Sequence, residues 1–171
     1  MKKKLKIILA VFIICIIGFL GFKIGSQLKQ KKEVAERIQY IPDFSFKTLK
    51  AKTFSKKDIE NNKPKLFIYF NSDCDFCHSE ANQIQNNLEK LKDIQLIFVS
   101  FEPADSIKIF AEKYQLLNKE NIILLEDEKM LFSQLFNAKS IPYMLLYSKS
   151  NQLIKKFKGA TKIEHVLNAL N

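Results

Sequence analysis

Two cysteines three residues apart, Cys74 and Cys77, stand where an apolar run gives way to a helical pattern in residues 65–80. At that spacing two thiols close a small disulfide with little backbone movement. The positive end of a helix stabilises an anion, so a thiol placed there becomes a better thiolate, and the thiolate is the reactive species. Strand-then-helix surroundings favour reversible dithiol–disulfide chemistry over the other uses of a Cys-x-x-Cys pair.

Those other uses carry different requirements. Cys74, Cys77 and His78 also spell the attachment pattern for c-type haem, with Met130, Met144 and His165 available as further ligands. A haem domain wants mostly helical surroundings, whereas this motif is flanked by strand-like runs. A zinc site needs about four ligands, and no second Cys or His pair exists. A purely structural disulfide would close too short a loop to stabilise much. No cofactor is expected for the dithiol reading.

The elements that must position the cysteines follow from periodicity. Leu66 to Phe70 is a continuous apolar and aromatic run, the pattern of a strand covered on both faces. Ala81, Ile84, Leu88 and Leu91 then recur at helical spacing, with Asn71, Ser72 or Asp73 able to cap the helix. Upstream, Phe44 and Phe46 alternate with polar neighbours, Thr53-Phe54 returns, and Ser55 caps a brief helix through Ile59. Downstream, the pattern predicts a strand over 95–101, a helix opened by Pro103, a strand over 122–125 and a helix from Met130 to Phe136. A hairpin of 142–147 with 153–157 and a last helix capped by Thr161 end the chain. The order is β-hairpin, β, α, β, α, β, α, β, β, α. That is an α/β fold with a mixed central sheet flanked by helices.

The charge is unevenly spread. Of the net +10, eight Lys and no acid lie in residues 1–32, leaving 20 basic and 18 acidic groups in the remaining 139 residues. The domain itself is therefore near neutral, and no nucleic-acid partner is expected. Residues 7–22 are sixteen uncharged residues, nearly all apolar. As a helix they span roughly 24 Å, slightly short of the hydrocarbon core, with Leu5 and Ile24 extending the stretch and Lys6 and Lys23 snorkelling. No small-x-small site follows, so an uncleaved signal-anchor is expected over 1–24, contacting the membrane through 5–24. Cys15 lies inside it as an apolar filler. A polar spacer over 25–39 and a globular domain over 40–171 complete the chain. The Lys cluster at the very start favours a cytoplasmic tail, with the domain on the periplasmic or extracytoplasmic side of the inner membrane.

A strand leading into Cys-x-x-Cys at a helix start, with Ile141-Pro142 before a late strand, resembles the thioredoxin-like superfamily. Ile41-Pro42-Asp43-Phe44, the extra N-terminal hairpin, Cys74-x-x-Cys77-x-x-Glu80 and the insertion between Phe101 and Glu126 resemble its redoxin branch. With the anchor in front, the chain looks most like the TlpA/ResA-type thiol–disulfide oxidoreductases of bacterial envelopes, over roughly residues 38–171. The resemblance implies that Cys74 is the exposed attacking thiolate and Cys77 the buried resolving thiol. It implies that Pro142 is a cis-proline whose loop presents the Ile141 backbone to an extended substrate segment. Implied partners are envelope protein thiols and disulfides, apocytochrome c cysteines among them, and a membrane-derived electron donor.

The departures from that family matter as well. Asp73 stands where thioredoxins usually carry Trp, Asp75-Phe76 separates the cysteines, and Ile68 replaces the buried Asp of thioredoxin itself. Asp73 and Asp75 oppose a neighbouring thiolate, whereas the helix terminus and a charged His78 favour it. If the acids dominate, the disulfide is harder to reduce and the enzyme is a reductant. Glu80 reads either as an acid/base group near the sulfurs or as a solvated helix residue, and His78 as an exposed helix residue. A peroxiredoxin shares the fold, but Phe67 and Asn71 replace the Pro and Thr of that family's peroxidatic pattern.

Overall fold

The computed structural model describes the backbone of residues 2–170 and the side chains of residues 12 and 15–170. The chain divides into two compact units, Met1–Glu36 and Arg37–Asn171. Residues 2–36 of the first lie within one helix, α1 (Lys2–Ile38), on which large apolar side chains such as Phe12, Phe19 and Phe22 are exposed. Among the described residues no helix is long and apolar enough to cross a membrane. Residues 5–11, 13 and 14 of the expected span lie outside the described side chains.

The second unit is a mixed sheet of seven strands in the order β2-β1-β5-β4-β3-β6-β7. The strands are β1 (Ser45–Thr48), β2 (Thr53–Ser55), β3 (Lys65–Phe70), β4 (Gln95–Ser100), β5 (Ile122–Glu126), β6 (Tyr143–Tyr147) and β7 (Leu153–Lys158). β3, β4 and β5 run parallel, while β6, β7, β1 and β2 join antiparallel. β3 lies between β4 and β6 and is buried at every residue, which is why residues 66–70 are apolar or aromatic without alternation.

Each face of β3 supports a different layer. Leu66, Ile68 and Phe70 pack on α2 (Asp75–Gln85), α4 (Ala104–Lys113) and α6 (Ile163–Asn168) through Ala81, Ile84, Ile107, Phe110 and Val166. Phe67 and Tyr69 face an aromatic layer built from the N-terminal hairpin and α5 (Leu131–Leu135). There Phe67 lies 5.7 Å from Phe44 and 5.3 Å from Phe136, and Tyr69 stacks on Phe132 at 4.8 Å. Six of the fifteen Phe, Phe44, Phe46, Phe54, Phe67, Phe132 and Phe136, meet in this layer, where offset and edge contacts add to area burial. The unit closes at its start as well, because Ile38 and Ile41 are fully buried and the Tyr147 hydroxyl donates to the Ile38 carbonyl at 3.2 Å.

Three helix boundaries differ from expectation, each for a local reason. The helix after Cys77 stops at Gln85 instead of running to Leu91, and a separate turn, α3 (Leu88–Leu91), follows. The Asn87 side-chain amide donates to the Gln83 carbonyl at 2.9 Å, replacing a backbone partner in the last turn. Met130 lies outside α5 in the left-handed region (φ 54°), and Asp127 supplies the cap, its two oxygens taking the Leu131 and Phe132 N–H groups at 2.9 and 2.7 Å. Thr161 does not cap α6; the residue preceding that helix is Lys162, and the Thr161 N–H is directed elsewhere.

Candidate active site

β3 ends at Phe70 and the chain turns through Asn71, Ser72 and Asp73 into α2. The Asn71 side chain accepts from Asp73 N at 2.8 Å, and the Cys74 N–H donates to the Asn71 carbonyl at 3.4 Å. This turn leaves Cys74 extended (φ −95°, ψ 113°) as the cap of α2, and its Sγ accepts from the Cys77 N–H at 3.3 Å. The expected cap from residues 71–73 is thus replaced by the cysteine sulfur itself. The Cys74 sulfur is therefore held against the positive end of α2 by a backbone donor.

The two sulfurs differ in surroundings. Both are free thiols, Cys74 half-buried and Cys77 only 2% exposed. Burial pushes the Cys77 thiol well above the usual thiol range, with the neighbouring Cys74 adding to the rise. Above them the Ile141–Pro142 peptide is cis, and the Cys74 thiol points to the Ile141 carbonyl at 3.9 Å. Pro142 is buried, and its carbonyl accepts from Gly159 N at 2.9 Å.

Glu80, one helical turn past Cys77, is 1% exposed, so the solvated alternative does not hold. Oε2 accepts from Thr161 N at 2.7 Å, while Oε1 is buried without a partner among the described residues. Burial raises the carboxyl to about 7, against the opposing pull of the Thr161 N–H. An acid near neutrality beside a buried thiol is suited to carrying a proton.

His78 is not the exposed helix residue expected. It is half-buried, stacked on Phe110 at 5.4 Å, with Nδ1 hydrogen-bonded to the Tyr114 hydroxyl at 2.9 Å. A groove of about 330 Å³ runs between the 71–73 turn and α4, lined by Ser72, Asp73, His78, Ile109 and Lys113 among others. Among the described residues no group of three or more His, Cys, Asp or Glu side chains is placed to hold a metal ion. Met144 is fully buried and His165 is exposed at the far helix.

Glu102 is a residue that sequence reasoning passed over. Just beyond β4, its carboxylate accepts from Ser72 N at 2.7 Å, Ser72 Oγ at 2.6 Å and Ser100 Oγ at 3.0 Å. Nothing local in the sequence marks it, because its partner turn lies about thirty residues upstream.

The sequence profile of the AhpC/TSA family matches residues 39–163. The chain belongs to the AhpC/TSA family. The expected enzyme class, a thiol–disulfide oxidoreductase, is met by this family membership together with the free Cys74–Cys77 pair. Solved structures share the thioredoxin-like fold of this AhpC/TSA protein. A secreted disulfide oxidoreductase of Mycobacterium tuberculosis, homologous to E. coli DsbE, superposes with a TM-score of 0.62 at 18% identity, over 78% of this chain and 96% of that one. StoA from Bacillus subtilis gives a TM-score of 0.59 at 16% identity, over 74% of this chain and 95% of its own. A thioredoxin-like protein from Aeropyrum pernix gives 0.62 at 18% identity, over 85% and 99%. No curated protein matches the chain.

Proposed function

We propose that this chain is a membrane-tethered, TlpA/ResA-type reductant of protein disulfides in the bacterial envelope, with Cys74 attacking and Cys77 resolving. The observation that carries the reading is the asymmetry of the two sulfurs. Cys74 is half-buried and takes a backbone hydrogen bond, whereas Cys77 is 2% exposed and held as the neutral thiol by burial.

The cycle then has two steps. The Cys74 thiolate attacks one sulfur of a substrate disulfide, that bond breaks, and the departing sulfur leaves as a thiolate that takes a proton. Cys77 next gives its proton to the Glu80 carboxylate and attacks Cys74 Sγ. The mixed disulfide breaks, the Cys74–Cys77 bond forms, and the substrate leaves with both thiols. Two electrons have passed to the substrate, and a dithiol donor at the membrane must return them. The Ile141–Pro142 loop offers its backbone to the substrate strand beside Cys74. Substrates of this kind are apocytochrome cysteines and misbridged envelope proteins.

The tether is proposed as a signal-anchor over 1–24 and a spacer over 25–39 ahead of a domain over 40–171, which faces the extracytoplasmic side. What supports it is the run of exposed large side chains along α1, from Phe12 at 61% to Phe22 at 77% and Leu28 at 60%, which a water-facing helix would not carry. Retention in the membrane pellet after an alkaline carbonate wash is expected, and release into the supernatant would sink the tether.

Trapping tests the chemistry. A Cys77→Ser chain should accumulate mixed disulfides through Cys74 with envelope proteins, identified by mass after acid quenching. A Cys77→Ser chain that captures nothing, beside a Cys74→Ser chain that does, would assign the roles the other way.

A further inference from the structure

We propose that Glu102 is a positioning residue for Cys74: its carboxylate grips Ser72 and so holds the attacking sulfur as the cap of α2. The inference rests on Cys74 being the attacking thiol. It starts from the sheet. Phe70, the last residue of β3, pairs with Ser100, the last of β4, so the chain leaving β4 runs beside the turn that leads to Cys74. Ser100 is fully buried and its Oγ accepts from Glu102 N at 3.2 Å while donating to the Glu102 carboxylate at 3.0 Å. That fixes the carboxylate, and its two oxygens receive both Ser72 N at 2.7 Å and Ser72 Oγ at 2.6 Å.

A carboxylate is an acceptor only, and three donors on two oxygens make short, charge-assisted bonds. Among the described residues no Lys, Arg or His pairs with Glu102, so its lone pairs go to the turn and to Ser100. Ser72 lies two residues before Cys74. The Cys74 backbone has to stay extended for Sγ to remain 3.3 Å from the Cys77 N–H. The other restraints are the Asn71 side chain and a 3.4 Å backbone bond, both within the turn itself, and the 3.9 Å contact of the Cys74 thiol with the Ile141 carbonyl beyond it. Glu102 ties the turn to the end of β4.

The consequence differs between the two redox states. In the dithiol, the position of Cys74 depends on the turn, whereas in the disulfide the bond to Cys77 fixes it covalently. Loosening the turn therefore penalises the dithiol alone. The titratable and charged groups about this turn and Cys74 are Glu102 itself, Asp73 and Asp75 beside the sulfur, His78 and Glu80 on α2, and Lys113 across the groove on α4. Removing a negative charge from this set would act in the opposite sense, favouring the thiolate. The two effects are separable.

The test uses the full chain as wild type, Glu102→Ala, Glu102→Gln and Ser72→Ala. Gln keeps an oxygen acceptor for Ser72 and drops the charge. Glutathione equilibration should move the Cys74–Cys77 couple of Glu102→Ala toward the disulfide by about fivefold, the size of a lost cap hydrogen bond, with Gln staying nearer wild type. Ser72→Ala should move the same way by less, and it carries the test if Glu102→Ala does not fold. Peptide-resolved iodoacetamide labelling of Cys74 at neutral pH reads the position without a redox cycle, and Glu102→Ala should label about fivefold more slowly. Wild-type values in folded Glu102→Ala and Ser72→Ala would overturn the proposal, as would a shift of both Glu102 variants toward the dithiol. A wild-type chain with no reversible dithiol transition would instead overturn the oxidoreductase reading, while the labelling comparison would still decide the role of Glu102.

Discussion

Glu80 and Thr161 are tied across the helical layer: the Thr161 N–H donates to Oε2 at 2.7 Å, and Oε1 of the same buried carboxylate has no partner among the described residues. One backbone donor offsets only part of the cost of burying the charge, which is why burial dominates and the carboxyl rises from 4.5 to about 7. A group held this way exchanges protons near neutrality. It also leaves a mark on stability.

That mark has a definite sign. The folded state binds the Glu80 proton more tightly than the unfolded chain, so stability is highest below the unfolded value of 4.5 and falls until about 7. The loss is on the order of 3 kcal/mol. Asp127 is raised in the same direction, burial first among the causes, so wild type alone does not isolate Glu80. Urea denaturation at several pH values should show the fall in wild type and much less of it in Glu80→Gln. Equal slopes in the two would mean that Glu80 is not the buried acid.

The unequal burial of the sulfurs predicts an order of labelling. In the reduced, folded chain Cys74 should be alkylated at least about tenfold faster than Cys77, which is 2% exposed and kept protonated by its surroundings. Denaturant should erase the difference. Faster labelling of Cys77 under native conditions would reverse the assigned roles.

How much of this was legible in the chain depends on the range of the interactions. The 66–70 run reads directly as a central strand because both its faces are covered, and the Cys-x-x-Cys pair announces its own helix. The Ile141–Pro142 loop was placed by family resemblance, not by any local pattern. Burial of Glu80 was left open because its helix faces a backbone donor, Thr161, eighty-one residues later. The burial of His78 has no local signature, since its partners, Phe110 on α4 and Tyr114 just after it, lie over thirty residues later. The cap by Cys74 is not legible for a different reason: Asn, Ser and Asp are the usual caps, but here the Asn71 side chain takes the Asp73 N–H and the Ser72 hydroxyl goes to Glu102.

The aromatic layer makes a separate prediction about stability. Phe67 and Phe132 are fully buried and meet at 6.1 Å, and Phe132 stacks on Phe136 at 4.3 Å. Either residue replaced by Ala should cost about 3–5 kcal/mol, because the rigid sheet cannot collapse into the space. Thermal or urea unfolding gives the number. A loss below about 1 kcal/mol would mean the layer repacks freely.

Capping by Asp127 can be tested the same way. Its two oxygens satisfy Leu131 N and Phe132 N at the start of α5. Asp127→Ala should destabilise the domain by about 1–2 kcal/mol, and Asp127→Asn by less. Equal losses in Ala and Asn would point to charge in place of the cap.

The most direct measurement is a glutathione redox titration of the full chain, read by alkylation and mass at Cys74 and Cys77. A reversible two-thiol transition near thioredoxin's potential, roughly −270 mV, is expected for a reductant supplied from the membrane. A transition near −120 mV would keep the chemistry and reverse its direction, making the protein an oxidant. No transition, with haem or metal retained in the mass, would contradict the dithiol assignment itself.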